Sequence, residues 1–534
     1  MPFSSRERII FIFFLLFFLT IFARLGWWQI GQRQELLRKA KAQEWHKEKP
    51  LKIRGEITFF DGHPLALSKI GYQLHIFKPE LTIDYQAVAE KLAQLKEKNK
   101  EEEKERIVSL LESDSLWLPI WHQMGEEEKE RIENLKIKGL RLDREMVREY
   151  PESSQAAHLV GFLGKNKEGE DQGYFGLEGY YDDQLKKGVN LKLFLDRQIQ
   201  WLTEEEIERG VKKYGAKRGL VLVVDPKTGG ILSLAVYPRF NPKEYSQTDT
   251  KLFLNPAISE TIEPGSIFKP LIMAAAIDSG RISPDERCTK CDGPRKIGDK
   301  TIHTFNDEYY PQSTMTDIIK HSDNVGMVYV IEKLGLKKTL NYLEKFGFGQ
   351  TTNVDLQGEI TNPLDTKKYW PFIDLATVSF GQGIAVTPMQ IIQAFTALAN
   401  KGKMVSPRAV AEISYPSGKK VKPSPQEKIV LSPKTAAIVT QMMIAAVEDG
   451  FVKKLVIPGL TVAGKTGTAQ IAIGGQYDPH KTIASFIGFA PAENPRFLML
   501  TVLYQPSASP WGTSTAAPVW FNIARRIMLT KNIY

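Results

Sequence analysis

The feature that most limits what this chain can become lies near its start. Residues 9 to 23 read Ile-Ile-Phe-Ile-Phe-Phe-Leu-Leu-Phe-Phe-Leu-Thr-Ile-Phe-Ala, without a charge. Carried to Ile30, the run is about 22 residues, enough to cross a bilayer as a helix if Arg24 snorkels and Trp27 and Trp28 lie in the interface. A cleaved signal peptide is the rival reading, but this apolar run is at the upper limit for one and no small-x-small site follows it. A retained anchor over residues 9–30, behind a short cytoplasmic segment of residues 1–8, is therefore predicted. The flanking charges oppose export if counted literally: Arg6 and Arg8 precede the span, while Arg24, Arg33, Arg38, Lys39 and Lys41 follow it. Long downstream domains can translocate regardless.

With 534 residues, 25% charged and 42% hydrophobic, the chain can hold two or three globular domains. Its net charge of +9 suits work near anionic surfaces. The basic residues are, however, spread among acidic runs with no aromatic-interleaved basic motif, which argues against nucleic acid as a partner. Gly31 to Pro50 reads as a polar stalk. Strands are predicted at Arg54 to Phe59 and Tyr72 to Phe77, around an Asp61-Gly62 turn, and exposed helices over Tyr85 to Glu112 and Gly125 to Leu135. Later, Leu220 to Val224 and Ile231 to Val236 form a hairpin, helical patterns fill Ile267 to Asp449, and strands return at Gly459 to Ala463, Ile483 to Phe489 and Phe497 to Tyr504. The economical arrangement pairs the early hairpin with the late strands and sets helices against both faces.

The chemistry begins at Glu263-Pro264-Gly265-Ser266-Ile267-Phe268-Lys269-Pro270. Pro264 and Gly265 break the preceding segment and put Ser266 at a helix start, with Lys269 one turn on, so the amine should come within reach of the hydroxyl. A serine needs such a base to become a nucleophile, and lysine can serve if burial or a second cation lowers its pKa. Alone the pair is weak, since Ser417 and Lys420 repeat the spacing in a turn that reads as a solvated hairpin tip. Downstream come Ser322-Asp323-Asn324 and Lys465-Thr466-Gly467-Thr468. On an edge strand Lys465 would face the cleft, Thr466 and Thr468 would turn hydroxyls to a substrate carboxylate, and Gly467 would let the substrate backbone approach. An earlier Lys227-Thr228-Gly229 sits at a hairpin tip and precedes the serine, which excludes it as the third element.

These three sets, in this order, resemble the signature of penicillin-binding proteins and class A β-lactamases. Arg54-Gly55-Glu56-Ile57, Arg148-Glu149-Tyr150-Pro151, Ala156-Ala157-His158-Leu159-Val160-Gly161 and Gly176-Leu177-Glu178 resemble the non-catalytic pedestal of the class B, monofunctional members. The resemblance implies an α+β penicillin-binding transpeptidase fold over residues 191–534, an antiparallel sheet flanked by helices, after an elongated α+β pedestal domain over residues 31–190. It implies a peptidoglycan D,D-transpeptidase of the bacterial cell membrane, its bulk extracytoplasmic, which cross-links stem peptides and is the target of β-lactams. It needs no cofactor, and a membrane glycosyltransferase is the implied partner.

By the same resemblance Ser266 is the nucleophile, Lys269 its base and Ser322 a proton relay. Asn324 holds the substrate's peptide group, Lys465 lowers the pKa of Lys269, and Thr466, Gly467 and Thr468 bind substrate. The amides of Ser266 and Thr468 form the oxyanion hole. Phe380-Gly381-Gln382-Gly383-Ile384 and Thr387-Pro388-Met389-Gln390 match supporting segments. A D,D-carboxypeptidase, an inactive scaffold and a β-lactam sensor are the alternatives. The water-activating Glu-x-x-Leu-Asn loop of a class A β-lactamase is not matched by Glu359-Ile360-Thr361-Asn362-Pro363.

Cys288 and Cys291 are the only cysteines. They allow a disulfide, a structural zinc site completed by His303 and one of Asp292, Asp307 or His321, or free thiols. His158, among Ala157, Leu159 and Val160, is expected to be a structural histidine.

Overall fold

The computed structural model describes residues 5–33, 36, 51, 53–96, 99–364, 370–473 and 476–531. Most of the stalk predicted at Gly31 to Pro50, including Arg38, Lys39 and Lys41, lies outside the described residues. The chain forms two compact units, Met1–Ile53 with Ser68–Val147, and Arg54–Leu67 with Arg148–Tyr534. The polypeptide between residues 54 and 190 thus contributes to both.

In the first unit the helix Ser5–Gly26 runs on into a π-helical turn, Trp27–Gly31. Residues Arg8–Gly31 are long and apolar enough to cross a membrane, with mean hydropathy 2.6 and no part of the span buried in protein. The Arg24 guanidinium lies 5.3 Å from the centre of the Trp28 ring, so the charge closing the apolar run leans on an interfacial aromatic. Further on, Pro64–Phe77 pairs antiparallel with Trp117–Met124. The helices Tyr85–Ala93, Lys100–Glu112 and Glu126–Glu133 are charged on their open faces. Their inner stripe of Val88, Leu92, Ile107, Leu111 and Ile132 closes a core with Leu74, Ile76 and Trp121.

The second unit is built on an open, antiparallel five-stranded sheet. Its strands are β1 (Arg218–Val224), β2 (Ile231–Tyr237), β3 (Ala463–Ile473), β4 (Gln476–Ala490) and β5 (Phe497–Tyr504), in the order β3-β4-β5-β1-β2. The early hairpin does pair with the late strands, β1 against β5. Successive residues of a strand face opposite ways, and both faces here are covered. Val221 and Val223 enter the core made with α1 (Arg197–Tyr214) and α6 (Ala516–Lys531), the latter carrying Trp520 and Phe521. Leu220, Leu222 and Val224 enter the larger core with α2 (Lys269–Asp278), α3 (Met315–Lys320), α4 (Asn324–Leu334) and α5 (Pro433–Glu448). The strand predicted at Gly459 to Ala463 begins only at Ala463, because the chain turns at Pro458 and Gly459 and Leu460 folds into the α6 core.

The pedestal-like segments meet within this same unit. Glu178 is fully buried and receives Arg54 Nε on Oε2 and Arg148 Nε on Oε1, each at 2.7 Å. Arg148 Nη1 donates to the Gly55 carbonyl at 2.8 Å, and Arg54 Nη1 to Asp182 at 2.8 Å. Removing the shared carboxylate would leave the buried Arg148 guanidinium without its carboxylate and Arg54 with Asp182 as its remaining carboxylate, and breaking a buried ion pair in this way costs about 3–5 kcal/mol. Glu178→Ala is accordingly expected to lower the unfolding free energy by that amount, whereas Glu152→Ala, on the part-exposed pair with His63, should change it little. Equal losses in denaturant titrations would refute the role given to the buried network.

Candidate active site

Ser266 lies in a single 3-10 turn, Gly265–Phe268, that leads into α2. Almost every side chain of α2 is buried, so the helix is fixed on all sides and its first turn cannot drift. Gly265 holds φ of 59°, and its N–H donates to the Gly381 carbonyl at 2.9 Å. A Cβ on Gly381 would stand 2.2 Å from the Gly265 carbonyl oxygen, so the Phe380 to Ile384 segment acts as backing for the serine's turn. Glu263 ties the same turn further: it accepts from the Gly383 N–H and from Tyr477 Oη, both at 3.0 Å, and burial pushes its carboxyl upward.

Lys269 is fully buried, and its amine points at the second motif. Nζ donates to the Ser322 carbonyl at 2.5 Å, Asn324 Oδ1 at 2.8 Å and Ser322 Oγ at 3.2 Å. The direct Ser266 to Lys269 contact expected from their spacing is not formed as a hydrogen bond, because the buried amine is satisfied by stronger acceptors on α4 and the turn before it. That turn is tight. Ser322 has φ of 56°, a left-handed conformation that a non-glycine residue holds only where its surroundings enforce it. Here the Asp323 N–H donates back to the Ile318 carbonyl at 2.9 Å, and α3 is closed at its start by a Thr314 and Asp317 capping box. Asp323 then occupies the N-cap position of α4, its buried carboxylate near the amides of Val325 and Gly326 without a side-chain cap hydrogen bond.

The third motif lies on β3, an edge strand as expected. Lys465 is 3% exposed, and its Nζ is 3.0 Å from Ser322 Oγ. One hydroxyl therefore stands between two amines. Burial, then the charge of Lys465, holds Lys269 well below the usual lysine range, and burial brings Lys465 down to about 7. Asp323 opposes the shift at Lys269, yet burial dominates at both groups and pushes the Asp323 carboxyl upward. Thr466 and Thr468 lie on the more open side of the strand, and Thr468 Oγ1 accepts from the Gly512 N–H at 3.0 Å. At Gly467 a Cβ would meet Ser485 Oγ at 2.3 Å and Ile267 Cγ2 at 2.9 Å, so glycine lets the strand close on the turn that carries Ser266.

The decoys fall where their order suggested. Ser417 is in the exposed turn after Val410–Ser414, with Lys420 on Glu412, and Lys227 at the β1-β2 turn bonds Asn494. His158 is buried edge-on to Phe240, and burial lowers it to about 4. Glu359 is occupied by the Thr352 N–H and hydroxyl. The zinc reading of Cys288, Cys291 and His303 is overturned: the cysteines form a disulfide, which consumes both sulfurs, and His303 bonds Asp307 and Tyr309. Among the described residues no three metal-ligating side chains converge. Sequence reasoning missed the His303 carbonyl, which accepts from Asn324 Nδ2 at 3.0 Å, the Gly512 amide and the Glu263 tie. Only Glu263, next to the serine motif, carried any local signal.

The penicillin-binding protein transpeptidase domain family matches residues 219–529, which contain Ser266, Ser322 and Lys465. The chain belongs to the penicillin-binding protein transpeptidases. The penicillin-binding protein dimerisation domain matches residues 51–192. Stage V sporulation protein D of Bacillus subtilis is 30% identical over 98% of this chain and 85% of its own length. The probable peptidoglycan D,D-transpeptidase PenA of Neisseria meningitidis is 30% identical over 85% of this chain and 80% of its own. Penicillin-binding protein 3 of Mycobacterium tuberculosis, solved with aztreonam, superposes with a TM-score of 0.71 at 27% identity, covering 90% of this chain and 96% of that one.

Two expectations follow for this penicillin-binding protein. With Lys465 at about 7 in the fold and at an ordinary 10.5 unfolded, the unfolded chain binds the extra proton between those values, so stability rises with pH across that window. In Lys465→Met that rise should flatten when denaturant midpoints are compared from pH 7 to pH 10; a parallel dependence in both proteins would contradict it. Intact mass spectrometry of the non-reduced chain should fall short of the all-thiol mass by two hydrogens and show no retained zinc.

Proposed function

We propose that the chain is a peptidoglycan D,D-transpeptidase working through an acyl-enzyme on Ser266. The observation that carries this is the chain of contacts from Lys269 Nζ to Asn324 Oδ1 and Ser322 Oγ, and from there to Lys465 Nζ, which draws all three motifs into one cleft. Lys269, held neutral by burial and by the second cation, takes the proton of Ser266 as the hydroxyl oxygen attacks the carbonyl between two D-alanines. Free D-alanine leaves with a proton relayed by Ser322, whose hydroxyl lies between the two amines. Asn324 aligns the donor's peptide group, and Lys465, Thr466 and Thr468 face its terminal carboxylate. The Ser266 amide belongs to the first turn of a helix, where N–H groups lack intrahelical acceptors, and a Cβ on Gly265 would lie 2.8 Å from the Thr468 carbonyl oxygen. The turn of Ser266 thus lies against Thr468, and to their two amides we assign the oxyanion.

An amine of a second stem peptide then attacks the ester. With Arg8–Gly31 as the anchor, the catalytic unit works outside the membrane on lipid-linked or nascent glycan strands. A membrane glycosyltransferase supplying those strands is the natural partner, since cross-linking consumes what polymerisation makes. Ser266→Ala should abolish covalent labelling by a fluorescent penicillin while leaving the thermal midpoint almost unchanged. The wild-type penicilloyl adduct should persist for many minutes and be indifferent to Glu359→Gln. Turnover within seconds that depends on Glu359 would replace transfer by hydrolysis.

A further inference from the structure

Ahead of α3 the chain bends through Phe305–Asp307, where Asn306 and Asp307 hold left-handed backbone with φ of 56° and 55°. Two such residues in succession are costly unless something enforces them. Here side chains do so. His303 Nδ1 is 2.7 Å from Asp307 Oδ1 and 3.1 Å from Tyr309 Oη, and the tyrosine hydroxyl donates to that same carboxylate oxygen at 2.9 Å. A carboxylate only accepts, so Nδ1 carries the proton and Nε2 presents a lone pair. The ring is half exposed. Its own carbonyl accepts from Asn324 Nδ2, while Asn324 Oδ1 accepts from Lys269 Nζ, so the imidazole belongs to the residue that abuts the wall of the Ser266 cleft.

We propose that His303 is the acceptor-side base, taking the proton that an incoming ammonium must lose before it can attack the acyl-enzyme. This deepens the transpeptidase reading and rests on it. The acceptor arrives as a cation because an aliphatic amine has a pKa of about 10. Nε2 removes one proton, and the freed nitrogen lone pair attacks the acyl carbonyl. As the tetrahedral adduct collapses, the bond to Ser266 Oγ breaks and the second amine proton passes through Lys269 to that oxygen, leaving a neutral amide. The imidazolium then returns its proton to water. Asp307 fixes the tautomer and orientation of the ring through its bond to Nδ1. The titratable groups bonded to the ring are Asp307 and Tyr309 on its own loop, and Asn324 links the His303 carbonyl to Lys269. Phe305 packs on Trp511 with centroids 4.8 Å apart, so that side adds no charge.

The test compares two half-reactions in the full-length, detergent-solubilised protein: acylation by penicillin, which needs no acceptor, and transfer from a D-alanyl thioester donor to a D-amino acid. In His303→Gln, transfer at pH 7 should fall about 100-fold while acylation stays within about twofold. The deficit should narrow as pH rises toward about 10 and close above it, where most of the acceptor is free base. Asp307→Asn keeps a residue that tolerates left-handed backbone, and should give a smaller loss with the same pH dependence. Equal loss of acylation and transfer would reduce the loop to a support for Asn324 and overturn the proposal, as would an undiminished transfer rate or a deficit that persists at alkaline pH. A wild-type protein that acylates but transfers to no amine would instead overturn the transpeptidase reading, and the acceptor-side base with it.

Discussion

Two lysine amines are buried within hydrogen-bond reach of one serine hydroxyl, and the rest of the catalytic unit is arranged to make that tolerable. Buried ammonium groups so close cannot both stay charged without a large desolvation and repulsion cost, so the fold itself selects a neutral amine. That requires walls that do not yield. Lys269 is held by a helix buried on every side, Lys465 by a strand paired along its length to β4, and Ser322 by a left-handed turn clamped between α3 and α4. Each support is ordinary packing; together they keep water from relieving the electrostatics.

That the three motifs belong together was legible because the chemistry restricts which residue types can serve, and the structure brings Lys269, Ser322, Asn324 and Lys465 into contact. The sheet was legible where alternation was clean, as at Leu220 to Val224. What stayed hidden depended on contacts far apart in the chain. Nothing local says that the Lys269 amine bonds the second motif, because its acceptors lie more than fifty residues on. That Gly467 also lets its strand pack against Ser485 and Ile267 was equally hidden, because which side of a strand is crowded is decided by its neighbours. The spacing of Cys288 and Cys291 suits a metal and a disulfide alike, and the fate of His303 depended on Asp307 and Tyr309, which bind it first. Arg54, Arg148 and Glu178 stood out as separate family-like segments without disclosing that they form one salt-bridged cluster.

The division of the chain carries a consequence for how such a protein varies. Residues 68–147 leave the second unit after Leu67 and rejoin it at Arg148, and the strands at the two ends of this excursion, Pro64–Phe77 and Leu140–Glu149, pair with each other. An excursion that starts and finishes on neighbouring strands, with a hydrophobic core of its own, behaves as a cassette. It can lengthen, shrink or change its surface without altering the path of the chain around Glu178 or Ser266. Selection acting on what this protein touches is therefore free to work at one address, while selection acting on its chemistry works at another.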